Sequence, residues 1–152
     1  NNFKKKNVGS LVVLGDGPQL EELRNASIED TYFYGNVPNV PDYLADADYF
    51  ISASLSEGFP NSVLEALTSG IPALLSDIPS HLEIAQEYHD GCSIYSLEKG
   101  PQILAQQMEM VKSLFPDNNK IVISNASQKI FSAQAMSEKY QKLYLSNVDI
   151  NK

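Results

Sequence analysis

The chain has no tryptophan, a single cysteine (Cys92) and only two histidines (His81 and His89) in 152 residues. A lone cysteine cannot close an internal disulfide, and no Cys/His cluster shows metal-ligand spacing, so a reducing compartment without structural zinc is expected. Basic residues are scarce too: 11 Lys and Arg stand against 19 Asp and Glu, a formal net charge of −8. That balance argues against nonspecific nucleic-acid binding and against a polybasic membrane patch, since both need clustered cations. Lys4, Lys5 and Lys6 form a basic run that a solvated helix end or tail accounts for. No apolar run approaches the roughly 20 residues of a membrane span, and the polar start Asn1-Asn2-Phe3-Lys4 lacks the pattern of a signal peptide, so a soluble segment is expected.

A content of 43% hydrophobic and 20% charged residues predicts one globular domain over 1–152. Its organising stretch is SLSEGFPNSVLEALTSGIP, residues 54–72. An apolar run at 49–53 precedes it and reads as a buried parallel strand. At 100° per residue Val63, Leu64, Ala66 and Leu67 share one helix face, and Asn61, Ser62, Glu65, Thr68 and Ser69 the other; Gly70 and Pro72 stop the helix. A strand, a glycine-containing turn and a helix together place free backbone N–H groups and the positive end of a helix dipole at the carboxyl edge of a sheet, where anions bind. Glu57 in the turn and Glu65 on the polar helix face are not placed to meet an anion, but they can accept from hydroxyls. A phosphate with hydroxyl-rich groups on either side describes a sugar nucleotide. The plainer alternative is that Ser62-x-x-Glu65 is a capping box and Glu57 a solvated loop carboxylate.

Along the rest of the chain, strands are expected at 10–14, buried, and at 31–34, 73–75 and 91–95. Helices are expected at 19–25, with Pro18 as first helical residue, and at 40–46, 81–87, 101–114, 118–130 and 132–145, the last two forming a C-terminal helical segment within 118–152. Ile103, Leu104, Met108, Val111 and Leu114 read as a core stripe, and Cys92 as a core residue. Gly15-Asp16-Gly17 lacks the third glycine of a dinucleotide fingerprint and the Lys and Ser/Thr of a P-loop, so a tight turn suffices. Alternating strands and helices imply right-handed parallel βαβ units with a site at the carboxyl ends of the strands. That edge holds the 54–60 turn, Gly15-Asp16-Gly17, Gly35-Asn36-Val37 and Asp77-Ile78-Pro79. His81, near the same edge, either orients a ligand or is structural or solvated, with no catalytic triad in view.

Glu57 and Glu65 within EGFPNSVLEALTSGIP resemble the E-x7-E signature of retaining GT-B glycosyltransferases, in particular family 4. LVVLGDGPQLEEL, YFYGNVPNVPDYLADADYFISAS, SDIPSHLEI and FSAQAMSEKYQKLY resemble successive segments of the nucleotide-binding, C-terminal half of those enzymes, covering about residues 8–145. The resemblance implies a Rossmann-like three-layer α/β/α fold with a parallel sheet. It implies that Glu65 accepts from the two ribose hydroxyls and that Glu57, in the catalytic position, meets donor-sugar hydroxyls. Gly58, Phe59, Pro60 and Asn61 match the turn that approaches the donor sugar, and Asn61, Ser62 and Val63 open the helix whose amides would face the diphosphate. Gly35 and Val37 match the segment beside the base, and Gly15 is counted with the donor-binding positions on the same edge.

The resemblance further implies a nucleotide sugar as substrate, UDP-linked by expectation, with no cofactor and no metal. A hexosyl or N-acetylhexosaminyl group would pass to a glycan or lipid-linked acceptor in bacterial surface polysaccharide biosynthesis, such as capsule or lipopolysaccharide. A cytoplasmic enzyme working peripherally at the inner face of the membrane is expected, without nucleic-acid partners. The family's first βα unit, which carries a basic pair, and its N-terminal acceptor domain match nothing here, so this chain alone is expected to be inactive. Two alternatives stand beside this reading. One is a GT-B sugar-nucleotide epimerase. The other is a doubly wound signalling or interaction domain, for which Asp16 lacks an acidic partner and no lysine directly follows the last strand.

Overall fold

The computed structural model describes residues 9–27, 29–115 and 119–148; the lysine run at 4–6 and the expected helix start at 118 lie outside them. Strands and helices alternate as β1 (Leu11–Leu14), α1 (Leu20–Ala26), β2 (Thr31–Gly35), α2 (Val40–Asp46), β3 (Phe50–Ser52), α3 (Asn61–Thr68), β4 (Ala73–Ser76), α4 (Pro79–Glu87) and β5 (Cys92–Tyr95). Helices α5 (Pro101–Glu109), α6 (Val111–Leu114), α7 (Lys120–Phe131) and α8 (Ala133–Val148) follow.

Among the described residues all strand pairing is parallel, as the α/β alternation predicts, and the strands form two ladders. One is β1 with β2; the other is β3, β4 and β5 with β4 in the middle. Every residue of β4 is buried, which is why Ala73-Leu74-Leu75 carries no alternation of polar and apolar side chains. Strand β1 differs from the buried strand expected at 10–14. Among the described residues its one hydrogen-bonded neighbour is β2, and Leu11 and Val12 stay 40% and 43% exposed.

Helix α3 is the hub of the core. Its Val63 and Leu67 pack with Ala73 and Leu75 of β4, Ile84 and Tyr88 after it, and Ile123 of α7; its Ala66 joins Leu44 and Ile71 in a second cluster. Val63 and Leu67 are wholly buried, each contributing roughly 1.5–3 kcal/mol by removal from water. The helix ends at Gly70, in the left-handed conformation (φ 85°), where the Ile71 N–H returns to the Ala66 carbonyl and the Gly70 N–H to Leu67. Side chains of α7 satisfy the same end: Ser127 Oγ donates to the Leu67 carbonyl at 2.7 Å and Ser124 Oγ to the Thr68 carbonyl at 2.6 Å.

Three other expectations are corrected. Pro18 lies ahead of α1 rather than opening it, since the helix begins at Leu20 with Gln19 at its cap. The helix expected over 101–114 is broken at Met110, and its stripe of Ile103, Leu104, Met108, Val111 and Leu114 is partly buried rather than core. Cys92 likewise packs against the core from its margin, partly exposed, although burial still pushes its thiol up to about 12.

Candidate functional site at the carboxyl edge of the sheet

Strands β3 and β4 both end in serine, and those serines build the site. Ser76 Oγ donates to the Ser54 carbonyl at 2.7 Å, joining the end of β4 to the loop after β3. Ser54 Oγ in turn donates to Glu57 Oε1 at 2.5 Å and lies 3.3 Å from Ser52 Oγ. Tyr95, at the end of β5, gives its hydroxyl hydrogen to the Ser52 carbonyl at 3.1 Å. Behind Glu57 sits His81 of α4, its side chain fully buried, with Nε2 3.9 Å from Glu57 Oε1. Glu57 is thus a held carboxylate with 22% of its side chain exposed, not the solvated loop residue of the plainer reading. His81 is not solvated either.

The neighbouring turn is fixed by Asp77, whose Oδ1 accepts from the Leu97 N–H at 2.9 Å. That bond, followed by one from the Ser96 hydroxyl, holds the Asp77 carboxyl below the usual carboxylate range. Burial, with the Asp77 charge added, pushes the Tyr95 hydroxyl up, so it stays a neutral donor.

At the start of α3 the capping box does not form. Pro60 occupies the cap position, no side chain among the described residues caps the helix, and Ser62 is already its second residue. Glu65 lies exposed on the outer face, and among the described residues its carboxylate meets no hydrogen-bonding partner. The amides expected to face a diphosphate are partly used: Asn61 N–H donates to the Phe59 carbonyl at 3.0 Å and Val63 N–H to the Pro60 carbonyl at 3.1 Å. The Ser62 N–H remains, and the Val63 side chain is wholly core. Gly58 is exposed with open space around it, and Phe59 is 56% exposed, so the turn's tip stands free in solvent while Pro60 is buried beneath it.

On the other ladder the Gly15 N–H donates to the Gly35 carbonyl at 2.7 Å, bringing those two turns together at the carboxyl ends of β1 and β2, with Val37 two residues on and partly buried. Both glycines have positive φ, 112° and 68°. Among the described residues, no group of three or more His, Cys, Asp or Glu could hold a metal ion, and no helix is long and apolar enough to cross a membrane. No local sequence pattern marks Ser52, Ser54, Ser76 and Tyr95 as site residues. The signal that points to them is position: Ser52, Ser76 and Tyr95 end strands on the functional edge and Ser54 lies two residues beyond one.

Parallel strands between helices, with a polar carboxyl edge, define a Rossmann-like α/β domain of the GT-B glycosyltransferase type. The chain belongs to the family described as glycosyl transferases group 1, whose model matches residues 2–113. It is 40% identical over 88 residues to the O-antigen biosynthesis glycosyltransferase WbnH of Escherichia coli, covering 57% of this chain and 26% of the relative. It is 29% identical over 156 aligned positions to the alpha-monoglucosyldiacylglycerol synthase of Streptococcus pneumoniae, covering 98% and 34%. Over 147 positions it is 25% identical to the N,N'-diacetylbacillosaminyl-diphospho-undecaprenol alpha-1,3-N-acetylgalactosaminyltransferase of Campylobacter jejuni, covering 91% and 38%. The chain therefore spans about a quarter to two-fifths of the length of these relatives. Family membership sets aside the signalling-domain alternative.

Proposed function

We propose that this chain is the donor-binding part, the C-terminal half, of a retaining GT-B glycosyltransferase of family 4. It would take a hexosyl or N-acetylhexosaminyl nucleotide sugar, UDP-linked, and serve transfer to a glycan or lipid-linked acceptor in bacterial surface polysaccharide biosynthesis, capsule or lipopolysaccharide. The observation that carries this reading is the pair of carboxylates around the start of α3. Glu57 is held by Ser54, and Glu65 is exposed without a cap to serve. Glu65 accepts from the ribose diol and Glu57 from donor-sugar hydroxyls, while Gly58, Phe59, Pro60 and Asn61 line the approach and the Ser62 N–H meets the diphosphate. Gly15, Gly35 and Val37 border the base.

In the transfer, the bond between the anomeric carbon and the diphosphate oxygen breaks with its electron pair leaving on the diphosphate. The acceptor oxygen bonds to the same face of the sugar and passes its proton to the departing diphosphate oxygen. The developing negative charge needs donors in place, and one missing donor costs about 10²–10³ in rate. Beside the Ser62 N–H, we assign the stabilisation of that charge to basic side chains outside the edge described here. We place them on a further βα unit, whose strand would lie between β1 and β3. This placement is supported by the separation of the two parallel ladders and by the exposure of Leu11 and Val12. The acceptor is assigned to a separate N-terminal domain, and the whole enzyme to the cytoplasmic face of the membrane as a peripheral protein; the 152-residue chain by itself is inactive.

The test is product analysis with the full-length enzyme and a UDP-α-sugar. The reading requires an α-linked product formed without added metal, and none when Glu57 is replaced by Gln. A β-linked product would refute retention, and undiminished turnover by Glu57→Gln would refute the assignment of that residue.

A further inference from the structure

We propose that His81 is a positioning residue for Glu57: it fixes one carboxylate oxygen so that the other is presented outward to the ligand. The identity of that ligand rests on the donor-binding reading above; the contact itself does not.

His81 Nδ1 lies 3.1 Å from both the carbonyl oxygen and the Oγ of Ser76. A carbonyl oxygen only accepts, and the Ser76 hydroxyl already gives its hydrogen to the Ser54 carbonyl at 2.7 Å. Nδ1 therefore carries a hydrogen. This leaves Nε2 buried, without a hydrogen-bond partner among the described residues, and 3.9 Å from Glu57 Oε1. A bare nitrogen facing a carboxylate oxygen sets two acceptors against each other with nothing between them, and a buried polar atom left in that state is costly.

A hydrogen on Nε2 resolves both faults. A closure of about 1 Å then brings that hydrogen into a hydrogen bond with the carboxylate. The other polar groups at this end of the sheet leave Glu57 as its partner. Ser52, Ser54, Ser76 and Tyr95 are neutral, and the Asp77 carboxylate accepts from the Leu97 N–H. Oε1 of Glu57 is then held from two sides, by Ser54 from its own loop and by His81 from α4, and Oε2 is left for a sugar hydroxyl. Fixing a binding group through the groups behind it is how a site keeps its geometry before the ligand arrives.

The experiment is nitrogen-15 NMR of the histidine rings at neutral pH in this chain and in Glu57→Gln, with His89, 82% exposed, as internal reference. The expected result is hydrogen on both ring nitrogens of His81 and loss of the Nε2 hydrogen in Glu57→Gln. An Nε2 that is bare in both proteins, or protonated in both, overturns the proposal. In parallel, affinities for UDP and for a UDP-sugar are measured in full-length His81→Ala and His81→Gln proteins. His81→Ala is expected to weaken the UDP-sugar about tenfold without changing UDP, and His81→Gln, which restores an N–H, to recover most of that loss. Equal loss for both ligands, or no recovery by glutamine, contradicts a positioning role. If neither ligand binds while the Nε2 hydrogen follows Glu57, the contact stands and the donor-binding reading falls.

Discussion

Gly70 lies against the backbone of Lys120, so close that a methyl group on its Cα would overlap the Lys120 carbonyl. The contact brings the end of α3 against the start of α7, and Gly70 also has a left-handed backbone (φ 85°). Gly70→Ala is therefore expected to lose about 1–3 kcal/mol from the backbone conformation and more from the clash. Thermal unfolding of the variant checks this, and a melting temperature within a degree of the parent would contradict it.

Ser127 supplies the polar part of the same junction, with its buried hydroxyl on the Leu67 carbonyl at 2.7 Å. Ser127→Ala leaves that carbonyl with one bond fewer and should cost about 1–2 kcal/mol. The exposed Ser146, whose hydroxyl returns to the Leu143 carbonyl of its own helix, is the control: Ser146→Ala should change chemical denaturation little.

Asp77 predicts a pH dependence. Its carboxyl is held below the ordinary value of 3.8, first by the Leu97 amide and then by the Ser96 hydroxyl. A depressed folded-state value stabilises the fold above the unfolded value, and the contribution is lost as pH falls through the folded one. Denaturation midpoints measured from neutral pH down to about pH 3 should therefore fall less steeply in Asp77→Asn than in the parent on the acid side. Parallel acid limbs would show that the Leu97 contact contributes nothing.

Much of this architecture was legible in the sequence. The apolar face of α3, the stop at Gly70 and the break near Ser132 follow from local rules, and each appears in the structure. What escaped depended on where two helices begin or break and on neighbours far along the chain. The Ser62-x-x-Glu65 pattern is real, but Pro60 begins the helix too early for Ser62 to cap it. Helical periodicity over 101–114 is likewise real, and it carries no sign of the break at Met110. The Ser54, Ser76 and His81 contacts arise because parallel register sets Ser52 beside Leu75, bringing the ends of β3 and β4 to one level. Alternation of strands and helices likewise predicts parallel pairing but not which strands are neighbours. The division into two ladders was invisible for that reason. On α8, Tyr140 and Tyr144 mark a helix that the sequence shows plainly, yet both are exposed.

The central claim is that Glu65 receives the ribose of a nucleotide, and calorimetric titration tests it most directly. UDP, GDP and ADP would each be titrated, with and without their sugars, into this chain and into Glu65→Ala. The account predicts that UDP binds and that Glu65→Ala weakens it by at least tenfold, since one charge-assisted hydrogen bond contributes about 1.5–3 kcal/mol. The full-length protein, carrying the further basic residues, should show the same loss from a higher starting affinity. UDP binding that is indifferent to Glu65→Ala, or no nucleotide binding by the full-length protein, would contradict the account.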